Sequence, residues 1–506
     1  MRPLGINAPL FALILKNQDE FSESDQRTKG DSPLTNRHIY YQQHFPMCTR
    51  NVCLFLLIPI LLLIGARLFL KSSAHARLSI AVGLMGWDGV GELAKETFAQ
   101  RWLGQKQTAS RTQFIGLLDA LLEADEKYLS PTGRAVVDKD DIAEGHVYLT
   151  HLLRTGFETM MESDPARPAF RKLVSKDRKI LGDNPDAFYY CANVVKELGY
   201  VVTGKVTQED YFSLTIYTAP CEGCFFKDTI SDINDKTGIT IGPNGDYKVM
   251  ISATKPPSTW DGDWMSMADA LNMTQYSKET ALQLVTRHYY ERTVSVAADP
   301  TMEGTVDISI TLVNPTTAEP YPSPSVEVHT DASVARKLKA VKMFVKKHST
   351  ELEQDPTEAP KWFSFELNQF GDPAVFRDVN TGGVGAVDIA YSAAPFKLKD
   401  DEALIIEGTM PKCAFANVVL WNRYLQTFDY VDHQTSLNRA KMQSIDGSTK
   451  QGKYKIVLSH QQPLHMDGVD WLDTMGRNGG TVFWRFLLPS GNVERPVTKV
   501  VKFLDL

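Results

Sequence analysis

Cysteine is scarce in this chain, six in 506 residues, and Cys221-Glu222-Gly223-Cys224 has no second C-x-x-C pair to complete a zinc ribbon. A redox couple would open a helix after a strand. A strand does precede the pair, but FFKDTISDINDKTG after it makes a poor helix. A structural disulfide between Cys221 and Cys224, or idle thiols, is the expectation. Positive charge is not concentrated either. With 54 basic and 61 acidic residues the net charge is -7, which excludes broad electrostatic attraction to nucleic acid or acidic lipid. The densest basic stretch, KLKAVKMFVKK at 337–347, reads as the solvated face of a helix. No G-x-S-x-G elbow is present, which argues against Ser-His-Asp catalysis. Gly382, Gly383 and Gly385 neither follow a strand nor open a helix, so they mark a turn and not a nucleotide loop. The one glycosylation sequon outside a proline context is Asn272-Met273-Thr274. No cofactor is expected.

What is present begins with an apolar run. VCLFLLIPILLLIGA at 52–66, extended through a snorkelling Arg67 to Leu70, is near the roughly 20 residues a bilayer requires. It shows no polar face, as a core helix would. Residues 52–70 are therefore expected to be a transmembrane signal anchor, with cleavage after Ala74-His75-Ala76 as the alternative. Arg37 and Arg50 before the segment balance Arg67, Lys71 and Arg77 after it, so charge does not set orientation. The length of chain that follows favours a lumenal or extracellular body. Residues 1–46, polar and aperiodic, read as a disordered tail.

Residues 78–200 read as mainly helical, because ELAKETFAQRWL, FIGLLDALLEADEKYL and IAEGHVYLTHLLRTGFETMM repeat apolar residues at three and four. Asp140 or Asp141 is the expected cap of the third. From Tyr211 the period becomes two. VDISITLV, YFSLTIYT, YKVMISAT, EALIIEGTM, FANVVLWN, YKIVLSH and TVFWRFLL are half-buried strands. A β-rich region at 201–330 is followed by an amphipathic helix at 331–352 with Asp331 as cap, then by a β-sandwich at 375–506. The fold class is α+β: an N-terminal helical layer, then antiparallel β-sandwich or jelly-roll domains.

Within the last stretch, LWNRYLQTFDY, SLNRAK, the DGS turn at 446–448, WLDTMGRNGGTVFWRFLLP and the upstream GAVDIAY are similar to the domain-of-unknown-function family 1214. The resemblance covers roughly residues 375–500. NPDAFYY at 184–190 and YVVTGKVTQEDYFSLTIYT at 200–218 resemble segments that accompany it. It implies a jelly-roll-like, extracytoplasmic domain and no particular reaction.

Residues 413–489 gather the chain's chemistry. Strand phase puts Trp421 with Arg423 on one face and Tyr424 on the other. An arginine phased onto an apolar face, as Arg485 is, needs a carboxylate or carbonyls. One reading pairs Arg423 and Arg485 with Asp429, Asp432 or Asp473 to pin loops. Another makes Trp421, Tyr424 and Trp471 stacking platforms, with Arg423, Asp473, Arg477 and Arg485 as forked donors and acceptors for a carbohydrate or other small molecule. A hydrolase reading takes Asp429 with Asp473, or Asp473 with His460, as acid and base. A metal site from His433, His460 and His465 with Asp467 matches no known spacing. A purely structural partner protein is the third class.

Overall fold

Alternation of apolar and polar residues, enriched in Val, Ile, Tyr and Phe, builds two successive sets of nine strands among the described residues. In the first, β1 is Arg171–Lys172, β2 Ala187–Val194, β3 Gly199–Lys205, β4 Tyr211–Ala219, β5 Asp228–Asn234, β6 Asp246–Ser252, β7 Asp263–Ser266, β8 Ala281–Tyr289 and β9 Asp307–Val313. In the second, β10 is Ala374–Val375, β11 Ile389–Lys397, β12 Glu402–Met410, β13 Phe415–Trp421, β14 Ser436–Asn438, β15 Gly452–Ser459, β16 Asp470–Asp473, β17 Gly479–Leu487 and β18 Val497–Lys502. The structure is a computed structural model that describes residues 108–130, 136, 138–224, 226, 228–268, 281–322, 328–351, 360–375, 386–465 and 467–506. The expected tail at 1–46, the apolar segment at 52–70 and Asn272 lie outside the described residues. Among those described, no helix is long and apolar enough to cross a membrane.

The two sets are copies of one topology. The first forms sheets ordered β1-β2-β8-β4-β5 and β7-β6-β3-β9, the second β10-β11-β17-β13-β14 and β16-β15-β12-β18. Adding nine to each label of the first yields the second. Even the exception repeats: β6 with β7 and β15 with β16 are the parallel pairs among antiparallel neighbours. Side chains follow suit. Tyr247 lies across Gly204 and Tyr454 across Gly408, where a Cβ would come within 2.6 and 2.3 Å of the respective hydroxyls. Trp264 and Trp471 each donate an indole N–H to a serine, Ser252 and Ser459, at 3.1 Å. Asp263 and Asp470 each accept backbone and hydroxyl donors from the loop that leads into the neighbouring strand, β6 and β15 respectively. The described residues thus contain two β-sandwich repeats, each closed around its own apolar core.

The outward faces of the two five-stranded sheets meet. Tyr211 and Tyr289 of the first and Tyr391, Phe415, Phe483 and Leu487 of the second share one buried cluster, with the Tyr289 and Phe415 rings 4.9 Å apart. Polar groups are exchanged reciprocally across this contact. Asp186, just before β2, accepts Asn417 and Asn438 Nδ2–H at 2.9 and 3.0 Å. Asp388, just before β11, accepts Asn234 Nδ2–H at 3.1 Å and the Tyr211 hydroxyl. Asn234 and Asn438 are equivalent strand-end residues, so the exchange has the self-complementary pattern of a two-fold interface. A second weld is the Glu291 carboxylate, fully buried, which pairs with buried Arg439 and with Lys450.

Among the described residues three α-helices accompany the strands: α1 at Ala109–Tyr128, α2 at Lys139–Gly156, running on as a π turn to Met161, and α3 at Asp331–Lys347. The helical region expected to reach residue 200 ends near 161. β2 and β3 occupy its last part, because AFYYCANV and GYVVTGK are rich in aromatic and β-branched residues that favour strands. Asp138, not Asp140 or Asp141, caps α2 by accepting both of their N–H groups. Thr330, not Asp331, caps α3 in a capping box with Ser333. Lys337 on α3 is buried, against the expectation of a wholly solvated face. Cys221 and Cys224 form a disulfide, and the turn between them sits on α3, where a Cβ on Gly223 would come 2.0 Å from Ala340 O.

His348, just beyond α3, is buried and donates Nδ1–H to Phe344 O at 2.7 Å. Burial lowers its pKa from 6.5 to about 4. The unfolded chain then binds the proton first, so stability is full above pH 6.5 and falls until about pH 4. The loss should total about 3 kcal/mol. Urea titrations at stepped pH should show this acid limb, and His348→Gln should flatten it.

Candidate functional site

The β13–β14 connection, residues 422–435, carries much of the predicted cluster. Asn422 shapes it: its Oδ1 accepts the Tyr424 and Gln426 N–H groups at 2.9 and 3.0 Å, and Leu425 takes a positive φ of 53°. The loop is thereby folded against α2 and residues 179–184, and several predicted site residues are sealed in that contact.

Trp421 is 3% exposed. Its ring lies 4.2 Å from Phe483, its N–H donates to Asp183 O at 3.0 Å, and the Arg485 guanidinium sits 4.9 Å over it. Buried Arg485 donates to Gly182 O at 2.8 Å and also covers Phe483. A carbonyl and two rings therefore answer this charge, in keeping with the carbonyl alternative and not with Asp429, Asp432 or Asp473. Buried Arg423 pairs with Asp141 at 2.7 Å. Buried Tyr424 donates to Asp141 O at 2.8 Å and stacks on Tyr148. A stacking platform needs an open ring face, and neither Trp421 nor Tyr424 has one. Arg423 and Arg485 are likewise interior ties and not ligand donors.

The other expectations separate. Asp429 closes its own turn by accepting Val431 N–H at 2.8 Å. His460 meets the Thr474 hydroxyl at 2.5 Å and not Asp473. Asp473 instead holds His433, Nδ1 to Oδ2 at 2.8 Å. No three His, Cys, Asp or Glu side chains come together as metal ligands among the described residues, so His433, His460, His465 and Asp467 do not converge. Arg477 pairs with Glu144 and lies 4.9 Å over Phe428.

An open group stays at the edge strand β16. Trp471 and Asp473 are two residues apart and share its outward face. Trp471 is half-buried, while the His433 side chain is 40% exposed against 11% for Asp473. With Nδ1–H donated to the carboxylate, the neutral imidazole has its lone pair on Nε2, the arrangement of an oriented base or hydrogen-bond acceptor. Comparison of the repeats isolates what is particular here. Repeat 1 has Trp264 in place of Trp471 and Ser266 in place of Asp473. Both Ser266 and Asp473 take the N–H two residues on, at 3.0 and 2.7 Å. Closing that turn is architecture. Holding an imidazole is what Asp473 adds.

Sequence reasoning missed Glu144 and Lys179, and took Asp141 only for a helix cap. Burial and the neighbouring Glu144 and Asp138 carboxylates raise Asp141 to about 6, with Arg477 opposing; the Arg423 guanidinium at 2.7 Å works against the rise as well. Lys179 donates to Thr427 and Phe428 carbonyls at 3.0 and 2.9 Å, and burial lowers its pKa. The available signal was the three-residue spacing of Asp141 and Glu144, which puts both on one helix face.

No protein-family profile matches the chain, and no curated protein does. Among solved structures it is similar to an uncharacterized protein from Burkholderia cenocepacia, at 24% identity over 78% of this chain and 98% of that one, with a TM-score of 0.61. A protein from Vibrio parahaemolyticus matches at 12% identity over 71% of this chain and 98% of that one, with a TM-score of 0.38. The first of these shows that the chain shares a known fold, an α+β arrangement with β-sandwich domains.

Proposed function

We propose that the protein binds a small polar molecule of carbohydrate type on the outer face of the second sandwich, at Trp471, Asp473 and His433. The observation that carries this is the His433–Asp473 pair beside a half-open indole, in the repeat that has it and not in its twin. A flat ring suits sugar C–H faces, and an oriented imidazole with a carboxylate suits hydroxyls. As part of the same proposal, the chain belongs to family 1214 and is anchored through residues 52–70, with an extracytoplasmic body. The Cys221–Cys224 disulfide supports an oxidising compartment.

Glycan-array and ligand-observed NMR screening of the full chain test it. Hits are expected, with at least tenfold weakening in Trp471→Ala and in His433→Ala. An empty screen, or hits indifferent to both substitutions, overturns the site. A purely structural role is the second reading, favoured by the burial of Trp421, Arg423, Tyr424 and Arg485, and an empty screen would leave it standing. Turnover that disappears in a folded Asp473→Asn variant would instead favour a hydrolase.

A further inference from the structure

Repeat 1 shows what the outermost strand of a four-stranded sheet accepts on its free side. Beyond β9 the chain turns back alongside it: Asn314 N–H donates to Glu319 O at 2.9 Å and Tyr321 N–H to Leu312 O at 3.2 Å, while Val313 bridges Pro320. The backbone groups answered there belong to residues 312 and 314. Strand β18 is the counterpart of β9. Val202 pairs with Ile310 as Ile406 pairs with Thr498, so 312 corresponds to Val500 and 314 to Lys502. The phase agrees, because Phe503 N–H, one residue on, bonds inward to Asp401 O at 2.8 Å. Val500 C=O and Lys502 N–H therefore face outward. Among the described residues no strand lies beyond β18.

The margin of this edge is apolar. Val497 is 69% exposed, Val500 38% and Leu504 96%, and Phe365 and Leu367 are 44% exposed each. The loop carrying the last two touches β18 through the Thr498 hydroxyl and Asn368 O. Natural sheets cover or guard such edges. The guard here is Lys499 and Lys502, and two lysines in six residues disfavour pairing of one β18 with another.

We propose that β18 is a docking edge for an extended segment of another protein, added as a fifth, antiparallel strand. Its occupant carries an apolar or aromatic side chain over Val500 and an acidic one opposite Lys502, the places that Tyr321 and Glu319 take opposite Leu312 and Asn314 in the strand that covers β9. Main-chain bonds supply the attachment, and the flanking side chains supply the choice of partner. The inference is independent of the Trp471 site.

A labelled peptide copying residues 316–322, TTAEPYP, is the probe, titrated against the full chain by anisotropy, with hydrogen exchange at saturation. Saturable binding is expected, with slowed exchange at 498–502. Lys502→Pro removes the outward N–H that the added strand engages and leaves the β12 ladder intact, so it should weaken binding at least tenfold while exchange in β12 is unchanged. Leu367→Asp, in the flanking loop, should weaken it too and serves if Lys502→Pro unfolds the strand. The proposal is overturned by the absence of saturable binding, by protection elsewhere than β18, by equal binding in both variants, or by β18 protection that appears with self-association of the chain alone.

Discussion

Trp421→Ala should cost about 3–5 kcal/mol of folding stability, the range for removing a large aromatic from a core. Urea unfolding should show a lowered midpoint at unchanged slope. The size follows from what the ring touches. Phe483 lies 4.2 Å away, Gly182 presses so close that a Cβ there would meet the indole at 2.9 Å, and Arg485 loses the ring beneath its guanidinium. Trp471→Ala should cost only about 1 kcal/mol, the common value for a point change, because one side of that indole is already wet. The two tryptophans, alike in the sequence, should thus sort oppositely: the first through stability, the second through binding. Equal destabilisation by both would contradict the division between sealed and open residues.

Glu291→Ala should be as damaging, again about 3–5 kcal/mol, because it strands a buried charge. The Glu291 side chain is 0% exposed and its Arg439 partner 4%. It also takes Lys450 Nζ at 2.6 Å and Ala416 N–H at 3.1 Å. Glu291 follows β8 of the first repeat, whereas Arg439 follows β14 of the second, so the loss falls on the join between repeats. Replacing both members, Glu291→Met with Arg439→Leu, should recover part of the stability, since no lone charge is left inside. A double variant worse than Glu291→Ala would show that the bonds, and not the desolvated charge, dominate.

Much of the β architecture was legible because alternation is a local property. VDISITLV and YKIVLSH announce strands from within seven or eight residues. Helix α3 was equally plain from Val334, Leu338, Val341 and Phe344. The duplication is legible only when distant segments are set side by side: DYKVMIS with DGDWMS at 246–266 is echoed by KYKIVLS with GVDWLD at 453–473. Side-chain partners were a different matter. Arg423 is tied to Asp141, 282 positions away, and no periodicity points to such a contact. Trp421 and Trp471 both end in strand context, and only the fold shows that α2 and residues 179–184 cover one neighbourhood and spare the other. Asp473 was a fair candidate, but its imidazole came from His433, across a loop, and not from His460, adjacent on a strand.

The reciprocal capture of Asp186 and Asp388 has an outcome for how this molecule can vary. In an assembly of two identical chains, any residue gained on one subunit appears on both, and any fault does too. Covalent fusion removes that coupling. One half can keep Ser266 and serve as ballast, supplying the asparagine and the tyrosine that hold its companion, while the companion carries Asp473 and His433 without a mirrored pair to destabilise the first. Cutting the halves apart should therefore give two sticky fragments that recover their solubility only together.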